Sequence, residues 1–423
     1  MALIVLATFG SYGDVFPYLA IGDALVRRGH EAVIAAPSTY RAAVEKAGLH
    51  FAAVRPDVDY SDIETFRRVM EPKRGAEVLV RELLVPHLRE SYTDLEAACR
   101  GADLLLSHVL TYAAPILGEK LGLPWLSTVL SPMVFCSSHD PPALAPVPGF
   151  ARLRFLGPSA VGVLLRVMKR VSWGWSAPIR SFRRELGLGA DADPLWEGQF
   201  SPHGTLALFS NAIARPQPDW PARTTLCGFP FHDDDYGGDA DADRLQPFLA
   251  EGPAPLVFTL GSSAVMSAGN FYAQAVEATK RLRQRAVLVV GDVDVPDRLP
   301  PEVLAIRSTA VQPLFDAAAV IVHAGGIGSV GQALRAGRPQ LVVPFAADQF
   351  DNALRVQRTG VGLRLDRSRC SVSRIADAIE RLLTDGSARS GIATAAAEVG
   401  SDRGAEAACE AIEALLTDAT GRG

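Results

Sequence analysis

The run Leu3 to Thr8 is almost wholly apolar and ends in the loop FGSYGD. Behind it, Leu19, Ile21, Leu25 and Val26 recur at helical spacing within VFPYLAIGDALVRRG, which predicts a helix starting near Pro17, and EAVIAAP returns to a short apolar run. Strand, glycine loop, helix and strand form a βαβ unit. ADLLLSHV, a helix from about Ala113 to Lys120 and PWLSTVLSP repeat the unit. Parallel strands of this kind need helices on both sheet faces, so the first half reads as a doubly wound α/β domain.

The same grammar restarts at Pro255. PLVFTLGSS is a strand running into a Gly-Ser loop, NFYAQAVEATKRLRQ is an amphipathic helix, and RAVLVVG, AVIVHAGG and PQLVVPF are further strands. Between the halves lies ARPQPDWPARTTLCGFPFHDDDYGGDADADR, whose Pro, Gly and Asp content suits a connection. The boundary is placed near Phe231, which predicts a first domain over 1–230 and a second from 231, with a cleft between them. One stretch, Gly149 to Leu186, fits neither sheet and carries Phe155, Trp173, Trp175 and eight Arg or Lys residues. It reads either as a pair of helices with one buried and one solvated basic face, or as an insertion that shapes an apolar pocket or touches a membrane surface.

Length and composition narrow the class without changing that outline. A chain of 423 residues suits two domains. A formal charge of −5 with no long basic run removes the electrostatic footprint of a nucleic-acid binder. Cys99, Cys136, Cys227, Cys370 and Cys409 are odd in number and never form CxxC, which argues against a disulfide framework or a zinc site and for a reducing cytoplasm. The apolar N-terminus has no basic flank and is too short to cross a bilayer, so it is read as a buried strand.

Candidate chemistry gathers in HAGGIGSVGQAL. Gly325, Gly326 and Gly328 let a ligand approach the backbone, and the helix opening near Ser329 aims its positive end at the same place, an arrangement suited to a diphosphate. One strand later, VVPFAADQFDN sets Asp348 and Gln349 where open α/β sheets bind ligands, and a carboxylate beside a carboxamide can hold vicinal sugar hydroxyls.

The stretch His323 to Gly362 resembles the donor signature of the GT-B glycosyltransferase superfamily that uses nucleotide sugars, the group of UDP-glycosyltransferases and of antibiotic and lipid glycosyltransferases. ATFGSYGDVFPYLAIGDALVRRGHEAVIAAP looks like the N-terminal signature of its bacterial branch, with rhamnolipid-type rhamnosyltransferases and sterol glucosyltransferases, and SHVLTYAAPILGEKLGLPWLSTVLSP, CGFPF and PLVFTLGSS follow in family order. The resemblance implies two Rossmann-like domains facing each other across a cleft: an acceptor domain over 1–230, a nucleotide-sugar domain over 231–404, and a helix over 405–423 that crosses back to the first domain.

Carried over residue by residue, the resemblance assigns His323, Gly326, Gly328 and Ser329 to the donor diphosphate, with Ser262 adding a phosphate contact. Gln332 falls at the ribose, Val311 near the nucleobase, and Asp348 with Gln349 at the sugar. Related bacterial sequences commonly read His-His-Gly-Gly where this chain has Ala324 second, so a structural role for His323 at a strand end stands beside the phosphate role. Asp14 occupies the position of the family's catalytic base, with an N-cap for the following helix as its plain structural alternative. His108 falls where histidine-type relatives place a partner aspartate.

These assignments imply an inverting, metal-independent transfer of a hexose, glucose or a 6-deoxyhexose such as rhamnose, from a UDP or dTDP sugar to a hydroxyl of an apolar acceptor, with no permanently bound cofactor. The Asp-x-Asp within DDDYGGDADADR reads as solvated linker, not as a metal site. A nucleotide-sugar epimerase or hydrolase on the same scaffold, or a non-catalytic nucleotide-sugar-binding partner protein, is the alternative, and Asp14 in the base position argues against the last.

Overall fold

The computed structural model describes residues 1–57, 62–233, 241–293, 295 and 298–420. Its strands fall into two wholly parallel sheets. The first contains β1 (Leu3–Ala7), β2 (Glu31–Ala36), β3 (His50–Ala53), β4 (Leu104–His108), β5 (Trp125–Val129), β6 (Thr205–Ala207) and β7 (Thr224–Leu226), in the order β3-β2-β1-β4-β5-β6-β7. The second contains β8 (Leu256–Thr259), β9 (Ala286–Val289), β10 (Val303–Ile306), β11 (Val320–His323), β12 (Gln340–Val342) and β13 (Gly362–Arg364), in the order β10-β9-β8-β11-β12-β13. Both orders reverse direction after the first strand of their half, so each sheet has a switch point, between β1 and β4 and between β8 and β11, where connecting loops diverge and leave a crevice. Ile4, Val5 and Leu6 in β1, and Leu256, Val257 and Phe258 in β8, are fully buried, because helices cover both faces of a parallel sheet. Two Rossmann-like domains of this kind make the GT-B fold expected from the sequence.

Ser11 caps the first helix, Tyr12–Arg27, which begins five residues earlier than periodicity predicts and carries Pro17 inside it. Helix Gly404–Thr420 packs on that helix: Ala408, Cys409 and Ile412 enter the apolar core of the first sheet, and Glu413 accepts from Arg28 at 2.6 and 2.9 Å. A further apolar cluster joins the two halves, with Val129, Phe135 and Phe209 from one side and Val330, Leu334 and Val356 from the other. Beside it lies an ion network. Asp140 of the first half pairs with Arg355 at 2.6 Å and Arg358 at 2.8 Å, while Asp351 pairs with Arg355 at 2.6 Å and accepts from the Ala143 amide at 2.9 Å. Burial alone would raise the Asp140 carboxyl, but the two guanidiniums outweigh it and hold it below its ordinary range.

Most of the acidic linker, including 234–240, lies outside the described residues. Its described end departs from a solvated reading: Asp241 is buried, accepts from the Arg307 amide at 2.7 Å and pairs with Arg244 at 3.0 Å. The stretch 149–186 forms a 3-10 segment, Pro148–Leu156, and helices Pro158–Ser172 and Ala177–Glu185. Each helix has a buried face, Val161 and Leu165 on the first and Ile179 and Phe182 on the second. The outer face of Pro158–Ser172 is not purely basic, however, since Val163, Val167 and Val171 stand on it exposed. Among the described residues no helix is long and apolar enough to cross a membrane.

Candidate active site

Asp14 and His108 belong to the first sheet's switch point: one follows β1 and the other ends β4. The loop closes tightly because Gly10 has φ +137°, where a side chain is strained, and a Cβ there would meet Asp14 Oδ2 at 2.3 Å. Tyr40 donates to the Gly10 carbonyl at 2.5 Å and braces the turn. Asp14 is not the helix N-cap. It sits three residues inside, and its Oδ2 accepts from the Ser11 amide at 2.7 Å and the Ser11 hydroxyl at 3.0 Å. One carboxylate oxygen is thus spent on the helix start, as in a capping box. The other, Oδ1, turns toward His108 Nε2, 4.0 Å away and beyond hydrogen-bond length.

The two partners differ in access. The Asp14 side chain is 32% exposed and that of His108 4%, so only Asp14 reaches the cleft. Burial pushes the His108 imidazole below its ordinary value, opposed by the Asp14 charge, and leaves it neutral near pH 7. Beside His108, a small cavity lined by Tyr112, Ile116, Ile179 and Gln199 offers apolar walls.

In the second sheet, Ser262 follows β8, the glycine loop follows β11, and Asp348 and Gln349 follow β12, three adjacent strands whose carboxyl ends meet at the switch point. Gly326 caps the helix Ile327–Arg335, two residues earlier than the sequence suggests, so the first-turn amides of Ile327, Gly328 and Ser329 have no partner within the helix. Nothing lies within 4 Å of a Cβ built on Gly326 or Gly328, which leaves this face open. Gln332 lies one turn on from Ser329, and its Oε1 is buried with no hydrogen-bond partner among the described residues. Val311, 41% exposed, opens the helix Val311–Ala317 after β10, and the Oε1 of the adjacent Gln312 is also orphaned.

His323 is placed differently from the phosphate role. It is fully buried beneath the loop, where Nδ1 accepts from the Gly325 amide at 3.1 Å and Nε2 faces Gln340 Oε1 at 3.0 Å. Those partners set the proton on Nε2 and use both nitrogens. Burial, opposed by Gln340, lowers the ring to about 4, so it stays neutral, and no charge or donor is left for a diphosphate. Its work is to hold Gly325, whose φ of +94° would be strained with any side chain and whose Cβ would strike Val342 at 2.6 Å.

Gln349, by contrast, is half-committed. Its Oε1 accepts from the Phe345 and Ala346 amides at 2.9 and 3.0 Å, which leaves the Nε2 amide as the end able to address a ligand. Asp348 reaches solvent along one edge but sits deep enough that burial pushes its carboxyl to about 7; Asn352 opposes the shift, while the charges of Asp14 and Asp351 add to it. The Asp14 charge is thus felt at Asp348 although the two belong to opposite halves.

Sequence reasoning missed Asn352. Fully buried, it donates from Nδ2 to the Gly325 carbonyl at 3.0 Å and to Asp348 Oδ2 at 2.8 Å, and its Oδ1 accepts from Ser131 of the first half at 3.2 Å. Its position four residues after Asp348, one helical turn away, was the available signal.

Comparison with known proteins bears on the family and the fold. Residues 4–136 match the Glycosyltransferase family 28 N-terminal domain, and 283–415 match the Erythromycin biosynthesis protein CIII-like C-terminal domain. The chain is 33% identical, over 97% of its length and 96% of the other's, to O-mycaminosyltylonolide 6-deoxyallosyltransferase of Streptomyces fradiae. It is 28% identical over 87% of its length to a sterol 3-beta-glucosyltransferase of Leptosphaeria maculans, of which it spans 26%. In fold it resembles the solved spinosyn rhamnosyltransferase, with a TM-score of 0.70, 19% identity, and coverage of 98% of this chain and 100% of that one.

Proposed function

The chain belongs to the UDP-glycosyltransferase-like superfamily of GT-B fold and is a glycosyltransferase of the antibiotic and natural-product type, and from that premise we propose that it transfers a 6-deoxyhexose from a uridine or thymidine diphosphate sugar to a hydroxyl of an apolar, polyketide-like acceptor, with inversion at the anomeric carbon. The observation that carries the mechanism is Asp14 at the first sheet's switch point, whose Oδ2 is held by Ser11 while Oδ1 is left for a hydroxyl, and whose charge is felt at Asp348 beyond β12. The 6-deoxy sugar and the acceptor class rest on the likeness to the S. fradiae 6-deoxyallosyltransferase.

In this reading the acceptor lies against the first half with its hydroxyl at Asp14 Oδ1. As the new bond to the anomeric carbon forms, the hydroxyl proton passes to Oδ1 and the bond from that carbon to the β-phosphate oxygen breaks. Departing diphosphate charge is met by the amides of Gly326, Gly328 and Ser329, the positive helix end and the Ser262 hydroxyl. Gln332 takes a ribose hydroxyl, which satisfies its orphaned oxygen, and the backbone near Val311 meets the base. Asp348 and the Gln349 amide hold sugar hydroxyls. General-base help of this kind is worth roughly 10²- to 10⁴-fold. His108, buried and neutral, positions Asp14 and withholds water from its inner side.

Calorimetric titration with UDP, dTDP, GDP and their glucose and rhamnose conjugates tests the donor. Tight binding of a uridine or thymidine diphosphate conjugate supports the reading, followed by mass spectrometry of acceptor mixtures and NMR of the product's anomeric configuration. Retention at that carbon, or turnover of the donor to free or epimerised sugar with every acceptor, would replace it.

A further inference from the structure

Of the eleven large hydrophobic residues left exposed among the described residues, six fall between positions 147 and 171: Val147, Phe155, Leu156, Val163, Val167 and Val171. Scattered exposed apolar groups are normal and contiguous ones are not, so this clustering makes the outer face more than a solvated basic surface. Val163, Val167 and Val171 are spaced four apart and form one stripe along the helix Pro158–Ser172, which is about 22 Å long at 1.5 Å per residue. Phe155, 77% exposed, and Leu156 extend the patch from the preceding turn.

Within this stretch of sequence the charge is of one sign. From Gly149 to Arg184 the sequence has eight Arg or Lys residues and no Asp or Glu, in a chain whose net charge is −5. Lys169 and Arg183 are drawn to Glu197 and Glu119, and Arg180 is buried over Trp173. Arg152, Arg154, Arg166 and Arg170 remain exposed, and Arg166 and Arg170 each precede a stripe valine by one position. A helix with an outward apolar stripe and basic residues along its edge has the build of a segment that lies in the plane of a lipid interface, its long arginine stems reaching the headgroups.

The inner face of this helix rests on a small core of its own, where Phe150, Val161 and Leu165 pack with Leu144, Met168 and Trp196. The outer valines are therefore not needed to hold the helix in place. A second copy of the chain is a poor occupant, because a two-fold contact sets each patch against itself and brings the arginines of one copy against those of the other. An anionic bilayer complements both the stripe and its charged edge.

We infer that the face built by Phe155, Leu156, Val163, Val167 and Val171 with Arg152, Arg154, Arg166 and Arg170 docks this protein peripherally on an anionic lipid surface. The inference goes beyond the proposed transfer reaction and does not depend on it. Docking places the acceptor half at the bilayer, where an apolar molecule concentrates.

The test is flotation of the full chain with vesicles of phosphatidylcholine alone and of phosphatidylcholine mixed equally with phosphatidylglycerol. The protein should float with the mixed vesicles only, and salt near 1 M, where the Debye length is about 3 Å, should release it. Combined Val163→Ser, Val167→Ser and Val171→Ser should weaken capture by about tenfold or more with an unchanged thermal midpoint, and Arg154→Gln and Arg170→Gln by about fivefold each. Absence of capture at low salt, or equal capture of the three variants and the parent, overturns the inference. So does sedimentation showing a dimer that the serine variant dissociates, which would assign the face to contact between copies.

Discussion

Oδ1 of Asp14 stands 4.0 Å from Nε2 of His108, and of the two only Asp14 opens on the cleft. The pair divides labour by burial. The exposed carboxylate keeps a free oxygen, while the imidazole behind it is held neutral and is a poor terminal proton acceptor.

Replacing Asp14 by Asn keeps the shape of the helix start and removes the base. Single-turnover transfer should fall roughly 10²- to 10⁴-fold, with nucleotide affinity by calorimetry within a few-fold of the parent. Full activity in this variant would remove Asp14 from the mechanism.

His108→Asn separates positioning from proton transfer. It should lower kcat more than it alters the donor KM. Protonation of His108 at low pH would tie up Asp14 Oδ1 in an ion pair, so the variant's acid limb should extend to lower pH. A limb that does not move would leave His108 with a packing role only.

A raised carboxyl carries a sign for stability. Asp348, near 7 in the folded chain against about 4 unfolded, binds its proton more tightly when folded, so its contribution is full at acid pH and is lost as pH rises from about 4 to 7. Asp348→Asn should match the parent near pH 4 and gain on it above pH 7, by on the order of 4 kcal/mol at most, since one unit is worth about 1.4 kcal/mol. Parallel urea-midpoint curves for the two proteins across that range would contradict the shift. The same variant should also weaken nucleotide-sugar binding more than binding of the bare nucleoside diphosphate.

His323→Ala unpairs the Gly325 amide and the Gln340 carboxamide in the interior, each at about 1–3 kcal/mol. Chemical denaturation should show the loss. Diphosphate affinity of the folded fraction should change little, whereas a direct phosphate ligand would give the reverse pattern.

Much of this protein is already written in local sequence. Continuous apolar runs such as Leu3–Ala7 and Leu256–Thr259 mark strands buried on both faces, and the glycines after β11 and the Asp348-Gln349 pair mark the loops at strand ends, because period, turn chemistry and helix starts depend on neighbouring residues. The resemblance supplied Asp14 and His108 as candidates, but not that Oδ2 of Asp14 is consumed by Ser11 while Oδ1 stays free.

Contacts between residues far apart in the chain were decided only by the tertiary structure. For His323 the sequence leaves a phosphate role and a structural role side by side, and it is a brace because Gln340, seventeen residues on, arrives beside it on the adjacent strand. Asn352 gains its role from Gly325 and Ser131, brought to it by the glycine loop and by the other half. Val163, Val167 and Val171 could equally have been core, and which side of an amphipathic helix meets the protein is settled by what packs on it. Periodicity states that a face is apolar; only the neighbours folded against it, or left off it, determine what that face does.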